Sequence, residues 1–229
     1  LTAILPELEE HCRRGLEEGS WRLGPDEDDP EGQSLSFAYP ATGLTPTPSS
    51  YLRPAVKIEF GARADHEPCE RRAVRPYLEE ALPHSLEAPE TEVKVICAVR
   101  TFWEKATILH QTAHLPAERA IPPRYSRHYY DLAAMIGAGI GERAMEQEAL
   151  LAAVVAHKRA FYRATWACYE TAVRGSLRLV PPPERRAEFE RDLGAMSEMF
   201  FDNPPDAGHI LGVLAAWQED FNHRSPIIP

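Results

Sequence analysis

The spacing of apolar side chains along the chain changes from a mixture of helix and strand patterns to helix patterns alone. Residues 1–19 repeat apolar positions at the intervals of an amphipathic helix. Three later runs are typical of strands: 34–39, 52–60 and 92–99. Prolines separate the helical runs that follow, which we place near 101–114, 125–137, 142–174, 184–200 and 206–221.

This order of elements predicts an α+β fold. We expect residues 1–100 to form a partial α/β domain with a mixed sheet and helices, and residues 101–229 to form an all-helical domain. A chain of 229 residues is long enough to bury a sizeable core in such an arrangement.

Composition and charge narrow the class of protein. A hydrophobic content of 44% is ordinary for a globular protein, and no membrane-spanning run or signal peptide is visible. Four dispersed cysteines fit free thiols in a reducing cytosol, so we expect a cytoplasmic protein. The net charge of −10 disfavours a uniformly basic, nucleic-acid-binding surface but is compatible with a local basic cleft. Because the chain has 21 Arg and 4 Lys, each lysine is of interest.

The run Arg100 to Lys105 has the pattern of a helix start. Thr101 is placed to cap the helix, and Glu104, three residues on, can complete a capping box. Phe102 and the apolar residues after it form a core-facing stripe, and Lys105 projects beside that stripe.

A second polar motif follows some twenty residues later. Arg124, Arg127, His128 and Asp131 are spaced to share one face of a helix. A stripe of cations that ends in a carboxylate suits a polyphosphate or a nucleotide. The alternative interpretation is a pair of helices joined by ion pairs.

Three further pairs of polar residues are weaker candidates for nucleotide or metal binding. Lys57 and Glu59 alternate with apolar residues, so they share the polar face of a strand. One interpretation is that Lys57 binds a nucleotide and that the Glu59 carboxylate binds magnesium. A solvated edge strand is the other. His110 and His114 lack the glutamate of a zinc motif between them. The pair Asp26 and Asp28 lacks a predicted strand before it, which favours a solvated turn.

The motifs AVKIEFGAR, RTFWEK and RYSRHYYDL, in this order, resemble the AbiEii/AbiGii family of nucleotidyltransferase-like toxins. This family belongs to the polymerase-beta-type nucleotidyltransferase superfamily and supplies the toxin of bacterial toxin–antitoxin and abortive-infection systems. The resemblance covers nearly the whole chain and implies a nucleotidyltransferase-like sheet domain before the helical domain. It also implies transfer of a nucleotide from an NTP to an RNA, tRNA in some members, or to a protein, with Mg²⁺ as cofactor.

The resemblance also implies roles for single residues. Lys57, Lys105 and Asp131 match catalytic positions, and Glu59 matches a metal-binding carboxylate of related folds. The nucleotide-binding residues implied are Lys57, Lys105, Arg124, Arg127 and His128. His128 departs from the family pattern, in which Asp is common at this position.

The family's first motif, a Gly-Gly/Ser turn followed by an acidic pair that binds Mg²⁺, would lie before Leu1. From the residues given we therefore expect a fragment or an inactive relative. The alternative function is a non-catalytic module that binds an antitoxin or another protein, without any membrane association.

Overall fold

The computed structural model describes residues 1, 3–29, 32–39, 54–61, 65, 67–86, 90–200, 203 and 205–224. They divide into two compact units, Leu1–Ala64 and Asp65–Pro229, each with its own packing. Both units contain antiparallel strands, and the second is mainly helical. The predicted α+β class is confirmed.

The first unit consists of one helix and a three-stranded antiparallel sheet with the strand order β1-β2-β3. Its elements are α1 (Ile4–Gly15), β1 (Arg22–Pro25), β2 (Ser34–Ala38) and β3 (Ala55–Glu59). Leu23 and Leu35 are buried on one face of this sheet. On the other face Ser36 lies opposite Lys57 and Ser34 lies opposite Glu59. Lys57 and Glu59 therefore share the polar face, as the alternation of residues predicts.

Within the ranges that the structure describes, the second unit contains a β-hairpin and seven α-helices. Its strands are β4 (Cys69–Val74) and β5 (Thr91–Ile96), with the short helix α2 (Tyr77–Ala81) between them. The remaining helices are α3 (Ala98–Ala113), α4 (Ser126–Gly137), α5 (Ile140–Met145), α6 (Glu148–Phe161), α7 (Arg186–Ala195) and α8 (Ala207–His223). None of these described helices is long and apolar enough to cross a membrane.

An aromatic cluster around α3 forms the centre of the second unit. Phe102 and Trp103 of α3 pack against Trp217 of α8, with ring centroids 4.9 and 5.9 Å apart. Phe221 stacks on Trp217 at 5.2 Å, and all four rings are buried. Because α3 turns this face to the core, the direction of its polar side chains, Lys105 among them, is fixed.

Several predicted helices differ from the structure in where they begin or end. α3 begins at Ala98 rather than at Thr101, and its N-cap residue Cys97 makes no side-chain capping bond. The single helix predicted at 142–174 is wrong: it is interrupted at Gln147, which leaves the helical region at φ −124° and ψ 51°, and α6 ends at Phe161. No glycine or proline marks this interruption, so periodicity alone did not reveal it.

We expect Gly141→Ala to destabilise the second unit. A Cβ atom at this position would lie 2.5 Å from Nε1 and 2.9 Å from Cδ1 of Trp217. The indole is packed among other rings and cannot move away freely, so the loss should be about 1–3 kcal/mol. Urea unfolding followed by tryptophan fluorescence measures this loss.

Gly212→Ala is the matched control. Gly212 lies inside α8, and a Cβ atom added there would meet no other atom within 4 Å. Alanine is the better helix former by about 1 kcal/mol, so this variant should gain stability. Equal stability of the two variants would contradict the packing described for Trp217.

Candidate functional site

Lys57 in the first unit is held between two carboxylates. Its Nζ lies 3.2 Å from Oε1 of Glu59 and 3.3 Å from Oδ2 of Asp26. The hydrogen bond to Glu59, followed by that to Asp26, raises the pKa of the Lys57 ammonium. Asp26 directly follows β1, so the view that no strand precedes it is wrong.

The carboxylates near Lys57 are engaged by that lysine rather than grouped around an empty space. The ammonium of Lys57 fills the space between the carboxylates of Asp26 and Glu59. Throughout the described ranges, no three His, Cys, Asp or Glu side chains are grouped closely enough to hold a metal ion. Metal binding by Glu59 stays a prediction.

Lys105 and Asp131 meet between α3 and α4 in the second unit. The Lys105 ammonium donates to Oδ2 of Asp131 over 2.7 Å. The side chains keep exposed fractions of 21% and 40%, so a solute can reach both. The two positions are 26 residues apart in sequence, and the packing of α4 on α3 brings them together.

The basic residues before Asp131 do not all lie on one helix. α4 begins at Ser126, and Arg124 precedes it with a left-handed φ of 69°, so the predicted four-residue stripe is wrong at Arg124. Asp192 of α7 fixes this entry to α4, because its carboxylate accepts the backbone N–H groups of Arg124 and Ser126, both over 2.7 Å. A negative charge here also complements the helix dipole. Arg127 is exposed on the first turn.

His128 lies in the first turn of α4, where the charges of Lys105 and Asp131 act on it. Burial, with the charges of Lys105 and Arg127 as the next causes, lowers the pKa of His128 to about 4. Its ring is therefore neutral near pH 7. Its Nδ1 is buried and has no hydrogen-bond partner among the described atoms. The arrangement thus combines a neutral imidazole with cations on an accessible surface.

A protein-family model described as the nucleotidyl transferase AbiEii toxin of type IV toxin–antitoxin systems matches residues 1–223. The chain belongs to this family. Searches among curated proteins and among solved structures each returned no match. The AbiEii assignment covers both units and so includes Lys57 as well as the Lys105–Asp131 pair.

The AbiEii-family chain contains a buried charge that sequence reasoning missed. The side chain of Arg100 is 1% exposed and pairs with Glu104 at 3.1 Å and with Asp65 at 3.0 Å. Glu104 therefore binds Arg100 rather than completing a capping box with Thr101. The i,i+4 spacing of Arg100 and Glu104 was the signal that could have revealed this pair.

His110 is a structural residue of this unit. Its Nδ1 accepts the Arg178 backbone N–H over 3.1 Å, so Nε2 carries the proton and donates to the Cys168 carbonyl at 3.1 Å. His114 and Arg178 line a separate pocket of about 390 Å³. Both ring nitrogens of His110 are thus engaged in hydrogen bonds within the unit.

We expect stability to fall between pH 6.5 and pH 4, in part through His110. Burial lowers its pKa in the folded state to about 4, whereas the unfolded value is about 6.5. In this interval the unfolded chain binds more protons, so acid favours unfolding. The contribution of His110 is complete above pH 6.5 and lost by pH 4, and amounts to at most about 3 kcal/mol.

His110→Gln should flatten this dependence, since glutamine does not titrate. Urea unfolding at pH 7.5 and pH 5 compares it with the wild type and with His209→Gln, a control at an exposed position of α8. The account of His110 fails if both variants lose as much stability as the wild type on acidification.

Proposed function

We propose that this AbiEii-family chain is the nucleotide-binding toxin of a toxin–antitoxin system, which transfers a nucleotide from an NTP to an RNA. A tRNA is the acceptor we favour, and a protein is the other candidate. The family match supports the general reaction. The observation that carries the site assignment is the Lys105–Asp131 pair, with Nζ and Oδ2 2.7 Å apart on an accessible surface.

The reaction makes one P–O bond, breaks another and releases the proton of the acceptor hydroxyl. An acceptor oxygen attacks the α-phosphorus of the NTP, the bond to the β-phosphate oxygen breaks, and pyrophosphate leaves with the negative charge. Proteins assist such transfers mainly by position and by charge stabilisation. In our proposal Lys105 and Arg127 contact the triphosphate and stabilise the leaving pyrophosphate.

Asp131 acts through Lys105 in this scheme. A lysine has four rotatable side-chain bonds, and holding its ammonium in one place costs conformational entropy. The 2.7 Å contact to Asp131 holds the ammonium in place before the nucleotide binds, so binding loses less conformational entropy. We therefore describe Asp131 as a positioning residue, although its carboxylate is also accessible to a proton from the acceptor.

The remaining assignments are parts of the same proposal. Lys57, on the polar face of β3 in the first unit, is kept as a nucleotide-binding residue on the strength of the family resemblance. The neutral ring of His128 would offer a hydrogen bond without adding charge. Arg124 is retained as a nucleotide-binding residue, although it contributes from the segment before α4. Mg²⁺ and a cognate antitoxin follow from the family.

Binding of a protein partner without catalysis is the second candidate function. It is favoured by a run of exposed apolar side chains from Val74 to Leu82, in which Tyr77 is 77% exposed. Such a surface suits a protein partner. Nucleotide binding distinguishes this candidate from the enzyme.

We expect Lys105→Met and Asp131→Asn each to weaken NTP binding. Loss of the Lys105 charge should raise the Kd about tenfold or more, and Asp131→Asn should have a smaller effect because the ammonium remains but is no longer positioned. The double variant should lose little beyond Lys105→Met, since the two groups act as one. Isothermal titration calorimetry with ATP, CTP, GTP and UTP measures the affinities.

Lys94→Met is the matched control, because Lys94 is an exposed lysine that is also paired, 3.3 Å from Glu67. It should bind as the wild type does. Unfolding free energies should change by less than about 1 kcal/mol in all variants, since exposed ion pairs stabilise little. The site assignment is refuted if the wild type binds an NTP and Lys105→Met binds it equally well.

Transfer is followed with the complete gene product, NTPs labelled at the α-phosphate, and mixed RNA and protein acceptors. Label should enter the RNA fraction and should vanish with Lys105→Met. If the label enters only the protein fraction, the acceptor is a protein and not an RNA. No binding of any NTP would favour the partner-binding function.

A further inference from the structure

Lys158 lies in the last turn of α6, which packs on α3, and the α3 residues whose charges act on it are Arg100 and Glu104. It belongs to the last turn of the helix, where the Tyr162 backbone N–H donates to the Lys158 carbonyl over 2.8 Å. Its charge acts on His128 together with those of Lys105 and Arg127. Three helices therefore bring cations toward one imidazole.

Lys158 differs from the other lysines in its electrostatic partners. Lys57 pairs with Asp26 and Glu59, Lys94 pairs with Glu67, and Lys105 pairs with Asp131. All four lysines lie within the described ranges, and Lys158 alone among them has no carboxylate at ion-pairing distance there.

The surroundings of Lys158 shield its ammonium from water but provide no carboxylate in contact with it. Its Nζ lies 4.6 Å from the centre of the Tyr162 ring, a cation–π contact of modest strength. Glu104 is the acidic group that acts on it, but that carboxylate already binds Arg100 at 3.1 Å. Burial is the largest cause that lowers the pKa of Lys158, and Arg100 adds to it.

A desolvated ammonium without a carboxylate is costly in the free protein, and an anion bound beside it removes that cost. Lys105 and Arg127, which we assign to the triphosphate, act together with Lys158 on the buried ring of His128. The alternative is that Lys158 only complements the C-terminal end of the α6 dipole. The neighbouring Arg159 is in the same last turn and can supply that effect from its exposed position.

We propose that Lys158 is a phosphate-binding residue that completes the triphosphate site formed by Lys105 and Arg127. This inference rests on the proposed function, and it identifies α6 as a third wall of that site. It also explains why the cation here is a lysine in a chain dominated by arginine, since a compact ammonium can meet one phosphate oxygen in a confined space.

The test measures binding of inorganic tripolyphosphate and of ATP to the full chain by calorimetry. Lys158→Met should raise the Kd for tripolyphosphate about tenfold, and Arg159→Met, which removes the same charge from the same turn, should leave it unchanged. Lys158→Arg should restore part of the affinity. Lys158→Met should also keep or raise Tm, because it removes an unpaired, desolvated charge.

Chemical labelling provides a second readout on the unaltered protein. Tripolyphosphate should slow acetylation of Lys158 by acetic anhydride and leave acetylation of the exposed Lys94 unchanged. Equal slowing at both lysines, or none at Lys158, would overturn the proposal.

The outcomes separate this inference from the proposed function. If Lys105→Met loses tripolyphosphate and Lys158→Met keeps it, Lys158 is no phosphate ligand while the nucleotide site stands. If Lys158→Met lowers Tm as well as leaving affinity unchanged, its role is structural and the inference is overturned. If the wild type binds neither tripolyphosphate nor ATP, both proposals fall.

Discussion

The burial of one face of α3 is the constraint on which the helical unit depends. Phe102 and Trp103 pack with the rings of α8, which fixes both the rotation of α3 about its axis and its position. On the side of α3 that packs against α4, the Lys105 ammonium donates to Asp131. The site is thus a consequence of core packing, because a half-exposed ion pair alone is too weak to set the arrangement of two helices.

Charge in this unit is organised in two ways. Arg100 is buried and neutralised by Asp65 and Glu104, which suits a structural role near the start of α3. Lys158 is partly shielded from water and contacts no carboxylate among the described groups, which suits a residue that binds an anion. We therefore place Arg100 in the framework of the unit and Lys158 on the surface that we assign to the ligand.

The sequence predicted those parts of the molecule that local spacing determines. Apolar periodicity located α3, α4 and α8 to within a few residues, and strand alternation placed Lys57 and Glu59 on one face. Features set by distant residues were not predictable in this way. Asp192 fixes where α4 begins from 68 positions beyond Arg124, and no local pattern near Arg124 reveals it. The Arg100–Glu104 pair was visible at helical spacing, but the capping-box pattern that overlaps it suggested another partner.

The most direct measurement is a crystal structure of the chain with a non-hydrolysable NTP bound. The account predicts a phosphate oxygen within about 3 Å of Lys105 Nζ, with Asp131 still in contact with that lysine. An ordered triphosphate in the pocket lined by His114 and Arg178, with Lys105 untouched, would contradict it.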